Sequence, residues 1–245
     1  MTDLTIFVPT RGRPKAAKEL QESFKETCRG NTEVIFILSD DDSQLTSYFD
    51  LHAMEKISKI LVVSPECRGM AAPLNLGFEK WFNNPYTFPS YAVGFMGDDH
   101  RPRTEGWDQT YLETLTALSG RCRQRRKPGV GMVYGNDLLQ GENLPTQIAM
   151  TTNIPATLGR MVPHQLTHLY TDTYWLEFGK ALERISYLPD VVVEHMHPGA
   201  GKAAIDEGYE FSGSSVLDMT DWITFEGIVR NHVIPEDVQK IKRLM

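Results

Sequence analysis

Residues 92–107 read AVGFMGDDHRPRTEGW. A short apolar run of strand character passes directly into Asp98, Asp99 and His100. Continuous apolar strands belong to sheets covered on both faces, which are mostly parallel. Two adjacent carboxylates raise each other's pKa unless a cation intervenes. Ligands of open parallel sheets gather at the carboxyl ends of the strands. The stretch therefore predicts an α/β fold and also the sheet edge where chemistry takes place.

The pattern repeats on both sides. LTIFVP at 4–9, EVIFILSDDD at 33–42 and KILVVSP at 59–65 read as buried strands, and YAVGFMGDDH at 91–100 as a fourth. Ala17, Leu20, Phe24 and Cys28 recur at helical spacing over 14–28, and Leu76, Phe78, Trp81 and Phe82 mark a helix over 72–83. Trp107, Tyr111, Leu115 and Leu118 predict another that stops at Gly120. Strands alternating with helices predict a Rossmann-like, mostly parallel sheet flanked by helices. The second half is less regular. GVGMVYGND at 129–137 and ISYLPDVVVEHMHP at 185–198 read as strands, and 138–168, rich in Pro, Thr and Asn, as irregular. A helix over 172–185 takes Asp172 as its N-cap, and the tail is glycine-rich, then helical through Trp222, Phe225 and Val229. Without an internal repeat or long linker, residues 1–245 are expected to form a single domain.

Composition sets bounds. The 245 residues are 41% hydrophobic and 23% charged, with a net charge of −7, which excludes a coat of nucleic acid but not a local basic groove. Cys28, Cys67 and Cys122 form no CxxC pair and suit a reducing compartment. MTDLTIFVPTRGRP lacks the basic start and long apolar run of a signal peptide, and no run is long enough to span a membrane. A cytoplasmic protein without membrane partners is the expectation.

Four strand ends carry unusual chemistry: Pro9-Thr10-Arg11-Gly12-Arg13-Pro14, Ser39-Asp40-Asp41-Asp42, Asp98-Asp99-His100 and Glu194-His195-Met196-His197. Each alone reads as a capped, solvated loop. Their convergence on one sheet edge argues for a site. Oxygen ligands around a divalent ion suit Mg²⁺ or Mn²⁺, and imidazole tilts the choice to Mn²⁺. His195 and His197 share a face of their strand, so either can join Asp99 and His100 on the ion; the alternative is a core residue and a loop cap. Arg11 and Arg13 stand where a helix start favours anions, and Arg68 follows the third strand. Acids for a metal and arginines for anions suggest a diphosphate. Asp40 and Asp42 then suit a ribose or base edge, or cap the segment at 43–50. The run RCRQRRK at 121–127 is a solvated loop or a contact for nucleic-acid phosphate. Tyr170, Trp175 and Trp222 are core residues or an acceptor platform.

IFVPTRGRP (6–14), FILSDDDS (36–43), RGMAAPLNLGF (68–78) and GFMGDDHRP (94–102), in this order, resemble the nucleotide-sugar-dependent glycosyltransferases of the GT-A fold. They are most similar to the family-two-like group and its small bacteriophage-encoded members. The resemblance is carried by residues 1–105, taken as the nucleotide-sugar-binding half, with 106–245 as the acceptor half. It implies that Pro9, Thr10 and the acids after the second strand hold the nucleoside, and that the segment with Asn75 lines the nucleotide site. The fourth strand then ends in the metal-binding DxD motif. On that alignment Gly97 stands at the first acid and Asp99 at the second; alternatively Asp98-Asp99-His100 is a DxH motif, as in polypeptide N-acetylgalactosaminyltransferases. The resemblance further implies Mn²⁺ (or Mg²⁺), a UDP-sugar donor bound by Asp98 as well, and a hydroxyl acceptor such as a hydroxymethylated DNA base or a virion protein. It implies inversion with Asp172 as base and Asp137 as the competing acid, a late His on the metal, and Arg68 or Lys202 at the leaving diphosphate. The rivals are a sugar nucleotidyltransferase, for which PTRGRPK has too few glycines, a metal-dependent phosphohydrolase and a binding module without catalysis.

Overall fold

The computed structural model describes residues 2–119 and 129–245. The basic run at 121–127 lies outside them. The first half alternates as its hydrophobic pattern requires: β1 (Leu4–Thr10), α1 (Pro14–Thr27), β2 (Thr32–Ser39), α2 (Leu45–Ala53), β3 (Lys59–Val63), α3 (Ala71–Phe82) and β4 (Ala92–Phe95). β1 pairs in parallel with β2 and β4, bringing Phe7 beside Ile35 and Phe95. Side chains alternate across the sheet. Phe7, Ile37, Val93 and Phe95 therefore pack with Leu74, Phe78 and Trp81 of α3 on one face. Ile6, Val8, Phe36 and Leu38 pack with Leu20 and Phe24 of α1 on the other. Each such side chain contributes about 1.5–3 kcal/mol by leaving water. Gly77 lets α3 approach β2, since a Cβ there would lie 2.3 Å from Ile37 Cδ1.

The second half adds β5 (His100–Pro102), α4 (Trp107–Ser119), β6 (Met132–Asn136), β7 (Ile148–Thr151), α5 (Asn153–Leu158), α6 (Thr171–Leu182) and β8 (Ile185–His195). The tail forms α7 (Glu207–Ser212), α8 (Ser215–Thr224), a π-helical stretch Phe225–Val233 and α9 (Ile234–Lys242). One eight-stranded sheet runs β3-β2-β1-β4-β7-β6-β8-β5. β7 is antiparallel to both neighbours, so β6 and β8 point the same way as β4. The carboxyl ends of β1, β4, β6 and β8 thus share one edge.

Three sequence expectations change. The fourth strand ends at Phe95 rather than at 100, because Gly97–His100 turns, with His100 N–H bonding to Gly97 O, and starts β5. β5 pairs antiparallel with β8, placing His100 opposite His195. The segment 138–168 holds β7 and α5, whose few residues fall below the length at which periodicity speaks. At α6 the N-cap is Tyr170, in the left-handed region at φ 62°, and Asp172 sits inside the first turn. Among the described residues no helix is long and apolar enough to cross a membrane.

Candidate active site

A cleft of about 470 Å³ opens at that shared edge, between the ends of β1, β4 and β8, the start of α6, and α7. Asp99, His100 and His195 converge there, with one potential ligand atom from each within 4.8 Å of the others. Asp99 Oδ1 lies 3.2 Å from His100 Nδ1, and Asp99 Oδ2 lies 3.4 Å from His195 Nε2. The rings of His100 and His195 stack at 4.3 Å. Gly97 N–H donates to His100 Nδ1 at 3.2 Å, which makes that nitrogen an acceptor. With that nitrogen an acceptor, two electron-pair donors face each other, an arrangement that a cation between them would satisfy. Nitrogen and oxygen donors at this spacing fit Mn²⁺. Burial alone would raise the Asp99 pKa, but His100 and His195 outweigh it and hold the carboxylate well below its usual range. His197 stands at the cleft wall, edge-on to His195 at 5.0 Å, outside the trio.

The outer groups orient the inner ones. His100 Nε2 lies 3.3 Å from Thr146 Oγ1, which donates to Asp137 Oδ2 at 2.8 Å. Asp137 is 1% exposed and also accepts the backbone N–H groups of Leu139, Gln140 and Gly141 at 2.7–2.9 Å. It does not line the cleft, and both oxygens are occupied. Burial pulls the His195 pKa down, but Asp137 on one side and Asp99 on the other push it up to about 9. Metal ligands commonly have such outer carboxylates.

Asp98 turns away from the trio. It is 4% exposed, accepts Thr10 Oγ1–H at 2.6 Å and meets Arg13 Nη1 at 3.3 Å. Burial and the neighbouring Asp99 push its pKa up. Arg13 is also gripped by Asp206, with Nε and Nη2 donating at 2.7 and 2.5 Å, and its guanidinium lies 4.1 Å above the Tyr209 ring. Tyr209 O–H donates to Asp99 Oδ2 at 2.7 Å. Arg68 lies over Phe211 at 4.8 Å and donates to Glu207 O. Arg11 reaches only Asp41 at the rim. Pro9 lines the cleft beside these arginines.

Asp172 lines the cleft from the first turn of α6. Its Oδ1 accepts Thr173 N–H at 2.8 Å, and burial raises its pKa. Asp221 of α8 fixes the approach to this helix by accepting the N–H groups of Thr167, His168 and Leu169 at 2.8–3.0 Å.

Four expected ligands stand elsewhere. Asp40 accepts Ser64 Oγ–H, and Asp42 accepts Gly12 N–H at 2.9 Å, so Asp42 shapes the arginine loop without entering the cleft. Asn75 has its amide committed to Met161 and Val162, tying α3 to the chain after α5. Lys202 pairs with Glu194 at 2.9 Å. Trp175 is core, Trp222 is half-exposed away from the cleft, and Tyr170 lines it. Sequence reasoning missed Thr146, His168, Asp206, Tyr209 and Asp221. Asp206 alone had a signal, as an acid N-cap directly before the helix that carries Tyr209 and Phe211.

No family model and no curated protein matches the sequence. Solved structures do match the fold. A mannosyltransferase from Pyrobaculum calidifontis in complex with GDP-mannose and Mn²⁺ aligns over 98% of this chain and 68% of its own, at 17% identity and a TM-score of 0.58. Glucosyl-3-phosphoglycerate synthase from Mycobacterium tuberculosis, with Mn²⁺, UDP and glucosyl-3-phosphoglycerate, aligns over 93% of this chain and 81% of its own, at 12% identity and a TM-score of 0.56. The fold is that of the GT-A glycosyltransferases. TarS 1–349 of S. aureus with UDP shares it, over 99% of this chain and 70% of its own, at 12% identity and a TM-score of 0.56. At such identities the likeness is one of fold, and the chemistry has to be argued from the cleft.

Proposed function

We propose that the cleft binds a nucleoside diphosphate sugar together with Mn²⁺ and transfers the sugar to a hydroxyl acceptor. One observation carries the reading: Asp99, His100 and His195 bring metal-ligand atoms together beside Arg13, at the sheet edge where this fold gathers ligands. UDP-sugars are the first donors to test. Asp99, His100 and His195 would hold a divalent cation, which would supply charge neutralisation for a leaving diphosphate. Arg13 and Arg68 add their charge there, Asp98 keeps Arg13 in place, and Asp137 and Thr146 keep the imidazoles oriented. Asp172 accepts the acceptor's hydroxyl proton as that oxygen attacks the anomeric carbon, and the bond from that carbon to the diphosphate breaks with inversion. Its raised pKa makes it a stronger proton acceptor than a solvated aspartate. Asp137 is assigned to positioning, because its lone pairs already have partners.

A two-metal phosphohydrolase is less well supported, since only one group of three candidate ligands converges among the described residues. A DNA or virion-protein acceptor has no supporting observation in the cleft. The test is release of nucleoside diphosphate from a panel of UDP- and GDP-sugars with Mn²⁺. Release that requires both Mn²⁺ and Asp99 supports the reading. Undiminished release by Asp99→Asn, or phosphate release from simple esters without a sugar donor, contradicts it.

A further inference from the structure

The two walls of the cleft differ in chemistry. The cations, Arg11, Arg13 and Arg68, all come from the β1–α1 and β3–α3 connections. The other lining comes from the β6–β7 connection and the segment entering α6, where Leu139, Leu144, Leu169 and Tyr170 line the cleft together with the uncharged Gln140 and Thr146 and with Asp172. The titratable groups of that wall besides Asp172 are His168 and Tyr170; burial lowers the pKa of the imidazole and raises that of the phenol, so both favour the neutral form. Leu138, the neighbour of the lining Leu139, is 49% exposed.

Leu138 holds a backbone conformation that leucine avoids, with φ at 58°. The strain is maintained from below. Asp137 grips the next three N–H groups, and Asn136 Oδ1 accepts Leu138 N–H at 3.0 Å. Strain retained by so many hydrogen bonds points to function rather than accident. Its effect is to keep two consecutive leucines at the mouth of the cleft, exposed to water.

We infer that the acceptor carries its hydroxyl on an apolar body, a hydrocarbon chain or an aromatic ring, that packs on Leu138, Leu139 and Leu144. The inference rests on the transferase reading and names the substrate class of that site. A phosphate-rich acceptor would meet leucines where it needs cations.

Octyl and methyl β-glucosides test it, because they carry the same hydroxyls and differ in hydrocarbon length. A duplex containing 5-hydroxymethylcytosine serves as the polyanionic probe. With the donor that supports diphosphate release, the octyl compound is expected to show a KM about ten-fold lower than the methyl compound, since burying even a few methylenes is worth that much. Leu138→Asn, which suits a positive φ and therefore keeps the fold, is expected to raise the octyl KM several-fold while the Kd for UDP stays unchanged. Leu144→Asp is expected to raise it further. Equal KM values for the two glucosides, better transfer to the duplex, or no transfer to the octyl compound by an enzyme that still hydrolyses donor would each overturn the inference and leave the transferase reading standing. No binding of any nucleotide sugar in the presence of Mn²⁺ would overturn both.

Discussion

Asp137 and Asp172 show how environment divides labour between two carboxylates that look alike in sequence. Asp137 is surrounded by donors, and these hold its pKa below the usual range although burial alone would raise it. Its folded pKa is lower than its unfolded one, so it stabilises the protein above about pH 4 and that contribution fades only as the pH falls further. Asp137→Ala is expected to cost about 1–3 kcal/mol by orphaning those donors, measurable in chemical unfolding. Asp172 is half-buried with fewer donors, and desolvation raises its pKa. As a base it must be ionised, so kcat should fall as the pH is lowered, with a midpoint above the ordinary aspartate range of about 4. Asp172→Asn should bind donor with an unchanged Kd yet lose transfer by about 100-fold or more, read as kcat. Transfer undiminished in that variant would move the role of base elsewhere.

At the scale of elements, α7 is the part that the proposed donor would disturb. Asp206 caps this helix, accepting from the N–H groups of Gly208 and Tyr209, and the same carboxylate sits on Arg13 where a phosphate would bind. Asp206→Asn keeps a good cap and removes the competing charge. Donor or UDP binding, measured by calorimetry, should tighten several-fold; weaker binding would show that Asp206 helps to hold the donor arm instead. The first four strands, α1 and α3 were legible because their apolar patterns are sustained, as in Leu4–Thr10 and Pro14–Thr27, whereas α2 was not read as a helix. β7 and α5 were not, being four and six residues long with Thr and Pro among them. The turn after Phe95 was hidden by the acids themselves, which read as the end of a longer strand.

At the scale of the whole molecule, the site was legible where charge interrupts an apolar run and illegible where partners are remote in sequence. Asp98, Asp99, His100 and His195 announced themselves by standing at strand ends. The amide of Asn75 is committed to residues 86 and 87 positions away, so no local pattern could show that it braces α3 rather than a nucleotide. Asp221 is a similar case, at 52–54 positions from the N–H groups it accepts. Asp221→Ala should lower stability by about 1–3 kcal/mol in chemical unfolding and, by loosening the entry to α6, reduce kcat more than it changes donor Kd. The sheet order explains why these distant pieces meet: reversing β7 lets β6 and β8 deliver Asp137 and His195 to the edge already formed by β1 and β4. The central claim is that Asp99 with His100 and His195 holds a divalent ion beside the diphosphate. The most direct measurement is Mn²⁺ binding followed by electron paramagnetic resonance in the presence of UDP. Wild-type protein should take up one tightly held ion, and Asp99→Asn, folded by its melting curve, should lose it; equal uptake by both, or none by the wild type, would contradict the account.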